Sequence, residues 1–341
     1  MLMETQIFYD DQVDLGWLQP RTVALIGYGA QGQAHALNLR DSGINVVIGQ
    51  REGGRGWREA IADGFLPISV SEAAVQADVV NLLLPDETHG DVFHRNIEPH
   101  LRADAVVMAC HGFSFHYNLV PRHTTRHRVL VAPKGQGHMV RGEYLRGGGV
   151  PCLVAWDEET PLWCRQLALA YAKALGGTRA GVIETTIAAE TETDLFGEQA
   201  VLCGGLTQLV LAGYETLVEA GYQPELAYFE CLHELKIIVD LMHRVGIAAM
   251  RDVISTTAEY GDYTRGPQVI NQQVRANMQQ VLAQIRSGEF AQEFLADSRA
   301  GSPRRTAERA RAAQHSMEQV GRRLRNLMPW LQPSPDQAAP E

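Results

Sequence analysis

Short apolar runs with little polar alternation recur through the first half of the chain. This is the pattern of strands buried on both faces of a parallel sheet. The runs are Thr22-Val23-Ala24-Leu25-Ile26, Asn45-Val46-Val47-Ile48-Gly49, Leu66-Pro67-Ile68-Ser69-Val70, Asp78 through Pro85, Ala105 through Cys110, Arg128 through Ala132, Pro151 through Trp156 and Gly181-Val182-Ile183. Helical spacing fits between several of them, notably over 31–41, closed by Ser42-Gly43, and over 161–175, closed by Gly176-Gly177. Strands alternating with helices predict an α/β fold with a doubly wound sheet over residues 1–185. Residues 1–20 read as a lead-in ending at Pro20.

From residue 186 the pattern becomes almost wholly helical. Helices are expected over 187–203, 205–220, 224–245, 248–260, 267–287 and 303–328, punctuated by Gly204-Gly205 and by Gly221 with Pro224. The segment from Pro224 carries Leu226, Phe229, Leu232, Leu235, Ile237, Ile238, Val239, Leu241 and Met242. It is apolar nearly all round, which predicts a buried helix. Burial by a second copy of the chain is expected, so a homo-oligomer is too. The second domain is thus all-α over 186–331, and the Pro-rich residues 332–341 read as a disordered tail.

Composition narrows the partners. The 341 residues are 21% charged and 45% hydrophobic, ordinary for a globular protein, and the net charge is −10. That charge argues against nucleic acid and against an acidic membrane surface. The Arg-rich stretch 299–325 is interleaved with acids and alanines. The five cysteines (110, 152, 164, 203 and 231) show no CxxC spacing, which fits reduced thiols in the cytoplasm. The first residues, Met1 through Gln6, lack the basic flank and apolar run of a secretory signal, and no apolar run is expected to span a membrane.

The first strand runs into Gly27-Tyr28-Gly29-Ala30-Gln31-Gly32, a GxGxxG between strand and helix. That context predicts a dinucleotide whose pyrophosphate rests on the helix N-terminus. After the second strand come Gln50-Arg51-Glu52-Gly53-Gly54-Arg55-Gly56, with no acid directly at the strand end. Arg51 and Arg55 suit a 2′-phosphate, favouring NADP(H), although both also fit as surface arginines. Glu52 is able to accept from a ribose hydroxyl. Leu84-Pro85-Asp86, His111 and Lys134 stand at carboxyl ends of strands, where such sheets bind their ligands.

Two acid pairs sit on the helices: Asp194 with Glu198, and Glu230 with Glu234. Four-residue spacing puts each pair on one helical face. Cation binding, pairing with basic residues or an exposed face would each accommodate them. Only Lys236 offers a nearby positive charge within the helix from Pro224, so divalent cations are the expected partners.

These stretches resemble the ketol-acid reductoisomerase (acetohydroxyacid isomeroreductase) family, in its shorter class with a single knotted helical domain. The likeness runs over about residues 5–331. It includes Ile26 through Gly32, Leu84-Pro85-Asp86-Glu87, His111-Gly112-Phe113, Ala132-Pro133-Lys134-Gly135, Gly181 through Thr186, Glu190 through Gly205, Glu215 through Pro224, Ala227 through Leu235 and Ala258 through Tyr263. The resemblance implies an Mg²⁺-dependent alkyl migration in 2-acetolactate or 2-aceto-2-hydroxybutyrate. Reduction by NADPH to a 2,3-dihydroxy acid follows, in valine, leucine and isoleucine synthesis. It implies two Mg²⁺ held by Asp194, Glu198, Glu230 and Glu234, with Glu230 and Glu234 coming from the partner of a homodimer. Dimers of that kind are open to assembling further.

It also implies that His111, Lys134 and Glu198 act in catalysis and that Ser255 meets the substrate carboxylate. Gly27 through Gly32, Arg51, Arg55, Leu84, Pro85, Asp86 and Gly137 would surround the cofactor. The chain departs from the family at Ala30, Gln33 and Gln136, where Ser, His and Pro are usual. It also has Gly54 and Gly56 where phosphate-binding serines occur in some members. A metal-free hydroxyacid dehydrogenase and a non-catalytic dinucleotide sensor are the competing readings; neither needs four acids on helices.

Overall fold

The computed structural model describes residues 5–122 and 127–331. The chain divides into two compact units, Met1–Asp194 and Leu195–Glu341.

The first unit is built on one eight-stranded sheet. Its strands are β1 (Ile7–Phe8), β2 (Thr22–Ile26), β3 (Asn45–Gly49), β4 (Val79–Leu82), β5 (Val106–Ala109), β6 (His127–Pro133), β7 (Cys152–Trp156) and β8 (Val182–Glu184). They lie in the order β1-β8-β7-β6-β5-β4-β2-β3. From β6 to β3 every neighbour is parallel, while β7 runs antiparallel to β6 and β1 antiparallel to β8. Side chains alternate across a strand, so each strand feeds two cores. Val23 and Leu25 pack on one face with Leu39, Leu167 and Tyr171. Ala24 and Ile26 pack on the other with Ala73, Phe93 and Ile97. The helices α1 (Ala30–Asp41), α2 (Arg55–Ala62), α3 (Val70–Gln76), α4 (Asp86–Val92), α5 (Phe113–His116), α6 (Gly137–Leu145) and α7 (Leu162–Ala174) connect the strands. This is a Rossmann-type α/β sheet.

Two expectations change here. Leu66–Val70 is not a strand: only Ile68 pairs, with Gly49, because Ser69 already caps α3 in a reciprocal box with Glu72. The lead-in contains β1, two residues that extend the sheet edge.

The helical part comprises α8 (Ile187–Gly197), α9 (Gly204–Glu219), α10 (Pro224–Tyr228), α11 (Leu235–Val253), α12 (Thr256–Val269), α13 (Gln272–Ser287), α14 (Glu289–Arg299), α15 (Pro303–Ala313) and α16 (Ser316–Asn326). The sequence pattern misses α14. It also runs together α15 and α16, which separate where the His315 ring accepts from the Met317 amide at the start of α16. In the second unit Val210 and Tyr214 of α9, Ala227 and Tyr228 of α10 and Met317, Val320 and Leu324 of α16 make the core.

The buried helix expected over 224–245 is corrected. Leu226, Ile237 and Val239 are all exposed, and α11 buries only Met250. Apolarity on all sides is therefore not matched by burial within one chain. Gly246, at φ 85°, also breaks the helical path inside α11. The expectation about membrane length is corrected too. Ile187–Glu219 is long and apolar enough to cross a membrane by length and composition, because helix continues through the Gly204-Gly205 pair. The expected tail, 332–341, lies outside the described residues.

Candidate active site

Four neighbouring parallel strands deliver the first unit's functional residues. β2 ends into Gly27, β4 into Leu83-Leu84-Pro85, β5 just before His111 and β6 directly before Lys134. Their ends share one sheet edge, at about 4.8 Å per strand. The chain leaves β2 for β3 on one side and returns to β4 on the other, so β2 and β4 flank the switch point where ligands bind.

A cleft of about 1260 Å³ opens at that point, roomy enough for a dinucleotide. Of the residues named from the sequence for the cofactor, Gly27, Tyr28, Gly29, Ala30, Gln31, Arg51, Arg55, Leu84 and Pro85 line it. Gly27 makes the turn at φ 111°, where a Cβ would stand 2.5 Å from the Leu83 carbonyl oxygen. At Gly29 a Cβ would meet no protein atom within 4 Å, so the backbone there is open to a close ligand.

Hydrogen bonds of Tyr28 and Gln31, together with Asp63 and His89, which the sequence reading did not single out, hold the cleft in shape. The Tyr28 hydroxyl donates to Asp63 at 2.8 Å, and Gln31 Nε2 donates to the Gly135 carbonyl at 2.8 Å. His89, 2% exposed, sets its Nε2 2.9 Å from the Leu84 carbonyl and so fixes the Leu84-Pro85 turn. Burial holds the His89 pKa below its usual value, so its ring stays neutral.

Three expected cofactor residues stand outside the cleft lining. Gly32 packs on the Gly27 carbonyl, Gly137 starts α6 against the Ala30 carbonyl, and Asp86 starts α4. Burial raises the Asp86 pKa.

Beside the cleft's sheet edge lies a compact charged cluster. Lys134 Nζ donates to Glu190 Oε1 at 2.9 Å and to Asp194 Oδ1 at 2.8 Å. His111 Nδ1 lies 3.3 Å from Glu190 Oε2 and 3.3 Å from Asp194 Oδ2. The Gly112 amide donates to Glu190 Oε2 at 2.9 Å. Helical spacing puts Glu190 and Asp194 on one face of α8, and the β5 and β6 ends bring the two bases to it. The approach needs a glycine at 112: a Cβ would fall 2.1 Å from Thr191 Oγ1.

Burial disfavours the His111 imidazolium, yet its bond to Glu190 and the charges of Glu190, Asp86 and Asp194 outweigh this and raise it to about 9. Burial likewise opposes the Lys134 ammonium, and Glu190 with Asp194 more than restores it. For Glu190 burial pushes upward, but His111 and Lys134 prevail and hold its carboxyl below the usual range. The cluster is therefore two cations facing two carboxylates. The sequence reading names three of the four and omits Glu190, although Glu190, Asp194 and Glu198 form an i, i+4, i+8 series.

In the second unit, Glu198 opens a π-helical turn, Glu198–Leu202. Glu230 lies in another, Phe229–His233, and Glu234 follows it directly. Both acid pairs thus adjoin π-helical turns, a local widening frequent at functional sites. Glu230 and Glu234 are exposed rather than buried as expected, and Lys236 pairs with Asp240 instead. Ser255 caps α12 by accepting from the Ala258 amide at 3.2 Å.

A Gly-rich turn on a switch-point cleft, with an acid–base cluster on the same sheet edge, defines a Rossmann-type oxidoreductase that uses a nicotinamide cofactor. Residues 17–181 match the model of the acetohydroxy acid isomeroreductase NADPH-binding domain, and 187–330 that of the ketol-acid reductoisomerase C-terminal domain. The structure of an NADH-preferring ketol-acid reductoisomerase from an uncultured archean is 44% identical. The match covers 95% of this chain and 99% of that one, with a TM-score of 0.91. The chain belongs to the ketol-acid reductoisomerase family, oxidoreductases of branched-chain amino acid biosynthesis. A semialdehyde dehydrogenase NAD-binding protein from Cupriavidus necator, solved with calcium and NAD, shares the fold alone. It is 19% identical over 78% of this chain and 99% of that one, with a TM-score of 0.58.

Proposed function

We propose that this chain converts 2-acetolactate or 2-aceto-2-hydroxybutyrate to the corresponding 2,3-dihydroxy acid, on the path to valine, leucine and isoleucine. The reaction is an Mg²⁺-dependent alkyl migration followed by reduction with NADPH. The observation that carries this reading is the His111–Lys134–Glu190–Asp194 cluster on the sheet edge that also forms the dinucleotide cleft.

The donor set fits a hard cation. Carboxylate oxygens of Glu190 and Asp194 lie within 4.8 Å of each other and suit Mg²⁺. Two Mg²⁺ would be held by Asp194 and Glu198 with Glu230 and Glu234 from a second copy. Bound there, they supply the Lewis acidity that migration of an alkyl group to a carbonyl carbon requires. Lys134 fixes one oxygen of Asp194 and presents its Nζ protons at the cluster. His111 holds a proton at Nδ1 between Glu190 and Asp194. Ser255 takes the substrate carboxylate.

The cleft's open backbone at Gly29 supports dinucleotide binding, and Arg51 with Arg55 supports a 2′-phosphate. The NADH preference of the relative from an uncultured archean favours NADH as a second reductant. A homodimer, able to assemble further, covers the exposed apolar residues of α11 and α12, among them Ile237, Val253, Tyr260 and Val269. Residence in the cytoplasm belongs to the same reading, supported by five free thiols.

The test follows NADPH and NADH oxidation with 2-acetolactate, with Mg²⁺ and after its removal by chelation. The reading predicts turnover that stops without Mg²⁺ and returns when it is restored. Turnover that survives chelation, or none with either nucleotide, overturns it.

A further inference from the structure

The two candidate phosphate-binding arginines of the cleft are not equivalent. Arg51 forms no ion pair among the described residues, whereas Arg55 Nε donates to Glu59 Oε1 at 2.8 Å. Arg55 opens α2 and Glu59 stands one turn further on. Helical side chains lean back toward the helix N-terminus, which carries the Glu59 carboxylate toward the loop that follows β3. That loop is where a Rossmann sheet receives the adenosine ribose. Arg55 and Glu59 both line the cleft. The Arg55–Glu59 pair contributes no net charge there, and Glu52 adjoins Arg51.

We infer that Glu59 sets this chain's choice between nicotinamide cofactors: by holding Arg55 it weakens the pull on a 2′-phosphate and admits NADH alongside NADPH. This rests on the cofactor reading proposed above. Glu59 is a positioning residue, acting through Arg55. Arg55 and Glu59 are 84% and 40% exposed, so the pair is soft and its effect graded rather than all-or-none. A phosphate monoester carries close to two negative charges at neutral pH, so releasing one cation toward it matters more than any change felt by the ribose hydroxyls of NADH.

The test titrates the full-length protein with NADPH and with NADH, reading dihydronicotinamide fluorescence, at low and at raised salt. It compares the unaltered chain with Glu59→Gln, Arg55→Gln and the double variant. In Glu59→Gln the Kd ratio of NADPH to NADH should fall by about three- to tenfold at low salt, with a smaller fall at raised salt. In the Arg55→Gln background the same substitution should leave the ratio in place. A ratio unmoved by Glu59→Gln overturns the inference. So does an equal fall with Arg55 removed, which would mean direct repulsion by the carboxylate. Failure of the unaltered chain to bind either nucleotide would instead overturn the cofactor cleft itself.

Discussion

Glu190 is the least exposed member of its cluster, at 1%, against 18% for His111. Its two oxygens accept from Lys134 and the Gly112 amide, and one of them lies 3.3 Å from His111 Nδ1. An amide in its place would turn an N–H group against Lys134 or His111 and leave a partly buried cation short of its acceptor. Glu190→Gln should therefore lower kcat about 10²-fold in the 2-acetolactate assay, with the far-ultraviolet circular dichroism unchanged. A kcat within twofold of the unaltered chain would remove Glu190 from the site. At this scale the sequence is informative where a motif dictates geometry, as at Gly27, and where a strand end places a base, as at His111 and Lys134. It is silent where a partner lies far along the chain. Nothing local joins Glu190 to Lys134, 56 residues away. The four-residue spacing to Asp194 was the available signal.

Among the elements, α1 shows how much polar chemistry a sheet can hide. His35 and Asn38 face inward from it, fully buried. Asn81 Nδ2 donates to the Tyr171 hydroxyl at 2.7 Å, and the hydroxyl lies 3.0 Å from His35 Nδ1. The hydroxyl and Nδ1 share one hydrogen bond, whose donor is set by the His35 tautomer, and burial keeps the ring neutral. Burial lowers its pKa from 6.5 to about 3. Between those values the unfolded chain binds a proton that the folded one refuses, so stability is full above pH 6.5 and falls as pH drops toward 3. The slope from this residue is at most about 1.4 kcal/mol per pH unit. Urea melts at pH 7.5 and 5.0 should show His35→Gln losing less stability on acidification than the unaltered chain; equal losses would contradict the assignment. Apolar runs make most strands of the sheet readable, since burial on both faces forces hydrophobicity. The inward His35 and Asn38 are unreadable because only their partners on α6, on α7 and at its end make them tolerable. Ser69 and Glu72 overrule the strand pattern at Leu66–Val70 because a cap is a stronger local signal than a short apolar run.

For the whole molecule, the apolar character of the helical part outruns what one chain buries. Ile237, Val245, Ile247, Val253 and Tyr260 are exposed along α11 and α12, and Glu230 and Glu234 stand close before them. The periodicity of this stretch predicts burial, and a second copy is the cover we propose, bringing Glu230 and Glu234 to the Asp194 and Glu198 of the first. The account then makes every metal site a property of two chains. Asp194→Asn and Glu230→Gln should each be inactive alone. Co-expressed in equal amounts, they form mixed dimers in which one site carries both lesions and the other neither. About one quarter of the original activity with 2-acetolactate should return. Folded dimers of both variants whose mixture stays as inactive as either parent would contradict a shared site.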